Sequence, residues 1–202
     1  MSRLNDDERE AKRFEIGQLF TPSSPVNVAE LFAGRRDQML QLIDTVAEPG
    51  RHAIIYGERG VGKTSMAKIV ELVVPSVNRK VTYNRKPCDP SDNFTTIWKK
   101  VFSDMRFSLT RNNNEEMYSV DELYPENILP YDVVRELKMF GLNDIPLVVI
   151  DEFNEIIDSE AANLMANTIK ALSDDAVNAT VVIVGVGDNV DELMQEHESI
   201  ER

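Results

Sequence analysis

Residues 57–65 read Gly57-Glu58-Arg59-Gly60-Val61-Gly62-Lys63-Thr64-Ser65. Two glycines five apart, followed by a lysine and a hydroxyl residue, form the pattern of a phosphate-binding loop. At ordinary residue frequencies chance yields it in about one chain in a hundred of this length. The flanks constrain the fold further. His52-Ala53-Ile54-Ile55-Tyr56 reads as a buried strand, and Met66, Ile69, Val70 and Val73 fall on one helical face ended by Pro75. A strand, a glycine turn and a helix let successive backbone N–H groups converge on an anion at the positive end of the helix. The chain is therefore expected to bind a nucleoside triphosphate.

At 202 residues the chain suits one domain with a sizeable core. Its 42% hydrophobic and 28% charged residues are those of a soluble globular protein, and no apolar run approaches the roughly 18 residues of a membrane span. Met1 to Arg13 is charged throughout, so no secretory signal is expected there. Cys88 is the sole cysteine, which excludes an internal disulfide and makes a cytoplasmic location the simplest expectation. The net charge of −13 argues against a broad nucleic-acid surface. Arg79, Lys80, Arg85, Lys86, Lys99 and Lys100 cluster in sequence and are read as solvated strand and helix ends.

Residues 1–25 form a polar segment and a proline-interrupted linker, and residues 26–202 the core. Met39, Leu42, Ile43 and Val46 follow the helical period until Pro49-Gly50 stops it. A short strand is expected from Lys80, then a helix capped by Asp89 whose Phe94, Ile97, Trp98, Val101, Phe102 and Met105 share an apolar face. Residues 107–130 show no clean period and read as a long surface insertion. Val133, Val134, Leu137 and Phe140 mark another helix, ended at Gly141.

Pro146-Leu147-Val148-Val149-Ile150-Asp151-Glu152 is a continuous apolar run closing on two acids, as in a parallel strand covered on both faces. A helix packing Ile157, Ala161, Leu164, Met165, Thr168 and Leu172 should follow, and residues 179–185 read as another buried strand. Strands and helices alternate throughout. The expected fold is α/β, a three-layer α/β/α core with a mainly parallel sheet and its ligand at the carboxyl ends of the strands.

The chemistry is assigned as follows. Lys63 reaches the β and γ phosphates, the Thr64 hydroxyl reaches Mg²⁺, and Ser65 lies near the α phosphate. Asp151, an acid among apolar neighbours, needs a cation or hydrogen bonds, and Mg²⁺ through coordinated water is the natural partner. Glu152 is the group to orient or deprotonate the attacking water. His52 and His197 are too far apart and too few for a metal cluster, and Cys88 lacks a plausible histidine partner.

Residues 57–65 as Walker A, 147–152 as Walker B and 181–189 as a polar-ended fourth strand resemble an AAA+ ATPase, most closely the Orc1/Cdc6-like prokaryotic ATPases, which are themselves similar to the signalling ATPases of the STAND class. Leu31-Phe32-Ala33-Gly34-Arg35 resembles the segment that lies along the adenine in such proteins, which gives Gly34 and Arg35 to the nucleotide. The resemblance implies that Asp188 or Asn189 is the sensor-1 group at the γ phosphate, and that Arg202 falls where an arginine finger can stand. It implies ATP with Mg²⁺ as ligands, hydrolase activity, and self-association or an effector protein as partner; nucleic acid would be reached only through a further domain or partner. Such cores continue into a fifth strand, beside the strand leading into Walker A, and a helical lid. The chain stops before both, so the expectation is either a fragment of a longer protein or an edge strand covered by the N-terminal segment or another subunit. The leading reading is an Mg·ATP-dependent ATPase whose nucleotide state sets its assembly, and the alternative a nucleotide-gated regulatory module with little turnover. No guanine-reading Asn-Lys-x-Asp and no transporter signature occurs, and a small-molecule kinase lacks a nameable acceptor site.

Overall fold

In the computed structural model the described residues are 36–63, 66, 80–111, 114–141 and 144–187. The expected segments at 1–35, 67–79 and 188–202 lie outside them.

A four-stranded parallel sheet forms the middle layer, with the order β1-β6-β5-β2. Its strands are β1 (Ala53–Ile55), β2 (Lys80–Pro87), β5 (Asp144–Asp151) and β6 (Thr180–Val184). The apolar run of β5 is buried from Ile145 to Asp151 because the sheet is covered on both sides. Its residues divide by the two-residue period of a strand. Ile145, Leu147 and Val149 join Val182 and Val184 against α1 (Arg36–Ala47), through Met39, Leu42, Ile43 and Val46. Val148 and Ile150 join Val181 and Ile183 on the opposite face, against α2 (Phe94–Phe102), α3 (Pro130–Lys138) and α4 (Ser159–Asp174). This is the three-layer α/β/α arrangement that the sequence predicts.

The larger face is built around α2. Phe94, Ile97, Trp98, Val101 and Phe102 are buried, each contributing about 1.5–3 kcal/mol of apolar burial. The helix begins at Asn93, whose side chain accepts from the Thr96 amide at 3.0 Å while the Asn93 amide donates to the Thr96 hydroxyl at 2.9 Å. Asp89, expected as the cap, instead stands one turn earlier and accepts from the Ser91 amide. The reciprocal Asn93–Thr96 pair satisfies two helix-end groups at once, which a lone aspartate before proline does not.

Other expectations change with packing. Residues 107–130, expected as a surface insertion without a clean period, carry regular structure among the described residues. They hold most of a hairpin, β3 (Arg106–Arg111) antiparallel to β4 (Asn114–Ser119), then a 3-10 turn at Val120–Leu123, and they bury Val120, Tyr124 and Ile128 in the main core. A hairpin two strands wide carries too few apolar positions to show a period, and Phe107 stacking on Tyr118 at 6.0 Å is a cross-strand contact that periodicity cannot register. Ile157, expected to pack, is 76% exposed because the α4 helix starts only at Ser159, capped by Asp158. Strand β1 is half-buried rather than buried, since it lies at one edge of the described sheet.

Candidate nucleotide site

All four strands are parallel, so the carboxyl ends of β1, β6, β5 and β2 share one edge of the sheet. Two of these ends carry the sequence-predicted residues. β1 runs through Tyr56 into the glycine loop, and β5 ends on Asp151. They are not neighbours: β6 separates them, pairing Ile54 with Ile183 on one side and Ile150 with Ile183 on the other.

The loop owes its path to glycine. Gly60 and Gly62 both have φ +85°, a conformation that a side chain makes costly. The chain turns helical at Lys63, and the Met66 amide donates to the Gly62 carbonyl at 3.0 Å to close the first turn. Lys63 is 8% exposed. Its ammonium donates to the Gly57 carbonyl at 2.7 Å and the Glu58 carbonyl at 2.6 Å, so the charge is folded across the loop that would wrap a phosphate. Beside it lies a cavity of about 430 Å³, lined by apolar Leu42, Ile54, Val61 and Met66 and by polar Gln38 and Gln41 from α1.

Asp151 is 1% exposed. Its Oδ1 accepts from the Glu152 amide at 2.9 Å, and its Oδ2 accepts from Arg85 through Nε at 3.0 Å and through Nη2. Arg85 stands near the end of β2, in register with Val149, which brings its guanidinium alongside the strand end. Residues singled out as solvated basic ends are thus engaged with acids: Arg85 with Asp151, Lys86 with Asp104, and Lys100 with Asp89 and Asp92. Sequence reading missed the Arg85 pair because Asp151 comes from another strand, 66 residues on.

Glu152 is exposed and left-handed, with φ 57° and ψ 35°. The bend sends the chain into a 3-10 turn at Phe153–Glu155. Two contacts tie that turn to its neighbours. Asn154 Oδ1 accepts from the Val186 amide at 2.7 Å, just beyond β6, and Glu155 pairs with Arg59 of the glycine loop at 3.3 Å. The Gly185 amide in turn donates to the Ile55 carbonyl at 3.1 Å. Asn154, Glu155, Gln38 and Gln41 were not singled out from sequence. The spacing of Gln38, Gln41 and Thr45 along one polar side of α1 is the signal that could have found part of the cavity wall.

Of the residues assigned from sequence, Gly57, Glu58, Arg59, Gly60, Val61, Gly62, Lys63, Asp151 and Glu152 lie among the described residues, at the ends of β1 and β5. Gly34, Arg35, Thr64, Ser65, Asp188, Asn189 and Arg202 lie outside them. Among the described residues no group of three or more His, Cys, Asp or Glu side chains is placed to hold a metal ion, and no helix is long and apolar enough to cross a membrane. Mg²⁺ is the metal that the loop pattern implies, and the Asp151 carboxylate is not open to it: both oxygens accept protein donors and the residue is sealed from solvent. Cys88 is buried, its amide donating to the Asp151 carbonyl at 2.8 Å, and burial pushes its thiol up to about 12, which leaves it unreactive.

No family model matches the chain, and no curated protein matches it. Solved structures do. One of Drosophila ORC bound to DNA is 16% identical with a TM-score of 0.49, covering 88% of this chain and 41% of that one. The Aeropyrum pernix ORC1 protein in complex with DNA is 15% identical with a TM-score of 0.48, covering 83% and 44%. C. elegans PCH-2 is 15% identical with a TM-score of 0.44, covering 86% and 43%. The chain thus spans less than half the length of each. At this identity and TM-score the likenesses carry no conclusion, and the fold rests on the sheet itself.

Proposed function

We propose that the chain is the ATP-binding core of an AAA+ type ATPase, binding ATP at residues 57–65 and hydrolysing it with Glu152 as the group that orients or deprotonates water. The observation that carries this reading is the buried Lys63 held across a glycine turn at the end of β1, on the same sheet edge as the Asp151–Glu152 end of β5. A triphosphate offers the Lys63 ammonium a better partner than two carbonyls, because an anion adds a full charge–charge attraction that a neutral carbonyl does not supply. The loop amides then face the phosphate oxygens. The apolar wall of Leu42, Ile54, Val61 and Met66 suits a flat base, and Gln38 and Gln41 supply donors and acceptors for its edge. Glu152 is exposed at the strand end, free of the apolar layer, as an acceptor for water must be.

Beyond the described residues, Thr64 and Ser65 complete the loop, Gly34 and Arg35 lie along the adenine, Asp188 or Asn189 faces the γ phosphate, and Arg202 serves a neighbouring subunit. Coupling of nucleotide state to self-association or to an effector belongs to the same proposal. Mg²⁺ enters no step here, since Asp151 faces Arg85.

The test is a pair of substitutions. Lys63→Ala is expected to lose ATP binding by at least about tenfold, and Glu152→Gln to keep binding while hydrolysis falls about 10²-fold or more. Substantial turnover by Glu152→Gln would remove Glu152 from its role. One observation favours the second reading, a nucleotide-gated binding module with little turnover: Lys63 is held by two carbonyls of its own loop, which it must leave before a phosphate takes its ammonium. Specific activity that stays near zero and flat with rising protein concentration, with ATP still bound, is its signature.

A further inference from the structure

Arg85 belongs to no part of the phosphate-binding pattern, yet it ends in the most buried acid of the site. Its Nε and Nη2 both reach Oδ2 of Asp151, while the backbone amide of Glu152 takes Oδ1. The Asp151 side chain is 2% exposed and that of Arg85 27%. One partner is sealed in, and the other reaches it from a half-open position. A carboxylate this buried is costly without a counter-charge, and removing one partner of such a pair is far more disruptive than removing both. The guanidinium therefore already supplies the positive charge that a divalent ion would bring to this strand end. It holds the acid by two nitrogens, a grip that a lysine ammonium cannot copy.

We propose that Arg85 is the built-in counter-ion of Asp151, that Arg85 and a divalent cation are mutually exclusive partners of this carboxylate, and that Arg85 consequently sets how strongly nucleotide binding depends on metal. The consequence for nucleotide rests on reading residues 57–65 as an ATP site; the exclusion itself does not. Arg85 comes from β2 and Asp151 from β5, paired strands whose register is fixed by eight residue pairs from Lys80 with Asp144 to Pro87 with Asp151. The guanidinium cannot leave through strand slippage. It can leave only by rotation of its own side chain toward solvent.

Thermal unfolding of the whole chain, with and without millimolar Mg²⁺, tests the exclusion directly. Arg85→Met is expected to melt several degrees below wild type and to regain part of that loss with Mg²⁺, because the buried carboxylate, without its guanidinium, then accepts the ion. The double variant Arg85→Met/Asp151→Asn is expected near wild type and insensitive to Mg²⁺, as is wild type itself. Equal Mg²⁺ shifts in all three proteins, or none in Arg85→Met, overturn the proposal. If Arg85→Met does not fold, Arg85→Lys carries the comparison with a smaller Mg²⁺ shift, and no shift there overturns the proposal as well. A second arm titrates a fluorescent ATP analogue in Mg²⁺ and in EDTA. Wild-type affinity should differ by less than about threefold between the two, and that of Arg85→Met by about tenfold or more. A wild type that depends on Mg²⁺ tenfold, with Arg85→Met no different, counts against Arg85. Failure of wild type to bind in either buffer refutes the ATP site, and the melting arm still decides the role of Arg85.

Discussion

Glu152 is exposed, and its backbone is left-handed at φ 57°. Holding a non-glycine residue there costs about 1–2 kcal/mol. Asparagine or glycine would sit more easily there. Glu152→Gly is expected to unfold in urea within about 1 kcal/mol of wild type, because relief of native strain is offset by the greater freedom of glycine in the unfolded chain. The same variant should retain ATP and lose hydrolysis. A loss of stability beyond about 2 kcal/mol would show that the carboxylate holds the turn together and that its position is structural. Asp151, one residue earlier, owes its burial to Arg85, and its behaviour follows that partner rather than its own place at a strand end.

Among the elements, the turn between α1 and β1 is as constrained as the glycine loop, though it lies at the opposite end of the sheet. Gly50 has φ +74°, and a Cβ there would stand 2.9 Å from the Ala176 Cα and 3.1 Å from the Ser173 carbonyl oxygen. Its amide also donates to the Val177 carbonyl at 2.9 Å, joining the end of α1 to the end of α4. Backbone atoms cannot yield as a flexible side chain does. Gly50→Ala is therefore expected to cost about 2 kcal/mol or more in denaturant unfolding, with nucleotide affinity of the folded fraction unchanged. A neutral result would mean that the two helix ends can part without consequence. At α2 the reciprocal caps of Asn93 and Thr96 predict a smaller effect: Asn93→Ala should cost about 1 kcal/mol in the same measurement. These elements also show what a sequence conveys. The apolar stripe of α2 was legible because five buried residues repeat at helical spacing. The hairpin at 106–119 was not, because its pairing is decided between strands rather than within one.

For the molecule as a whole, acid stability turns on His52, which joins the start of β1 to β6. Its Nδ1 accepts from the Val181 amide at 3.1 Å, and its Nε2 is buried without a partner in the described structure. Burial pulls the imidazole pKa down from 6.5 to about 4. The unfolded chain then takes up a proton below about pH 6.5 that the folded chain refuses until about pH 4, so stability is full above that window and falls through it. Melting temperature is expected to decline between pH 7 and 4.5, and His52→Gln to decline less over the same range. Parallel slopes for the two proteins would exclude His52 as the cause. Asp89 works in the same direction. Its hydrogen bonds from Ser91, then Lys100, hold its carboxyl below the ordinary range, so its contribution is lost only at more acid pH.

The sequence by itself determined the layers and the glycine turn on which the proposed site rests. Continuous apolar runs at 146–150 and 181–184 required strands covered on both faces, and glycines at 57, 60 and 62 before Lys63 favoured a turn of positive φ. Both signals are local, written in neighbouring residues. Tertiary structure alone decided which charges meet. Arg85 and Asp151 are 66 residues apart, farther than one local motif reaches, and only the parallel register of β2 with β5 puts one on the other. Likewise Asn154 finds the end of β6 and Arg59 finds Glu155 only once β6 lies between β1 and β5. Electrostatic pairing depends on distance in space, which a one-dimensional pattern does not contain.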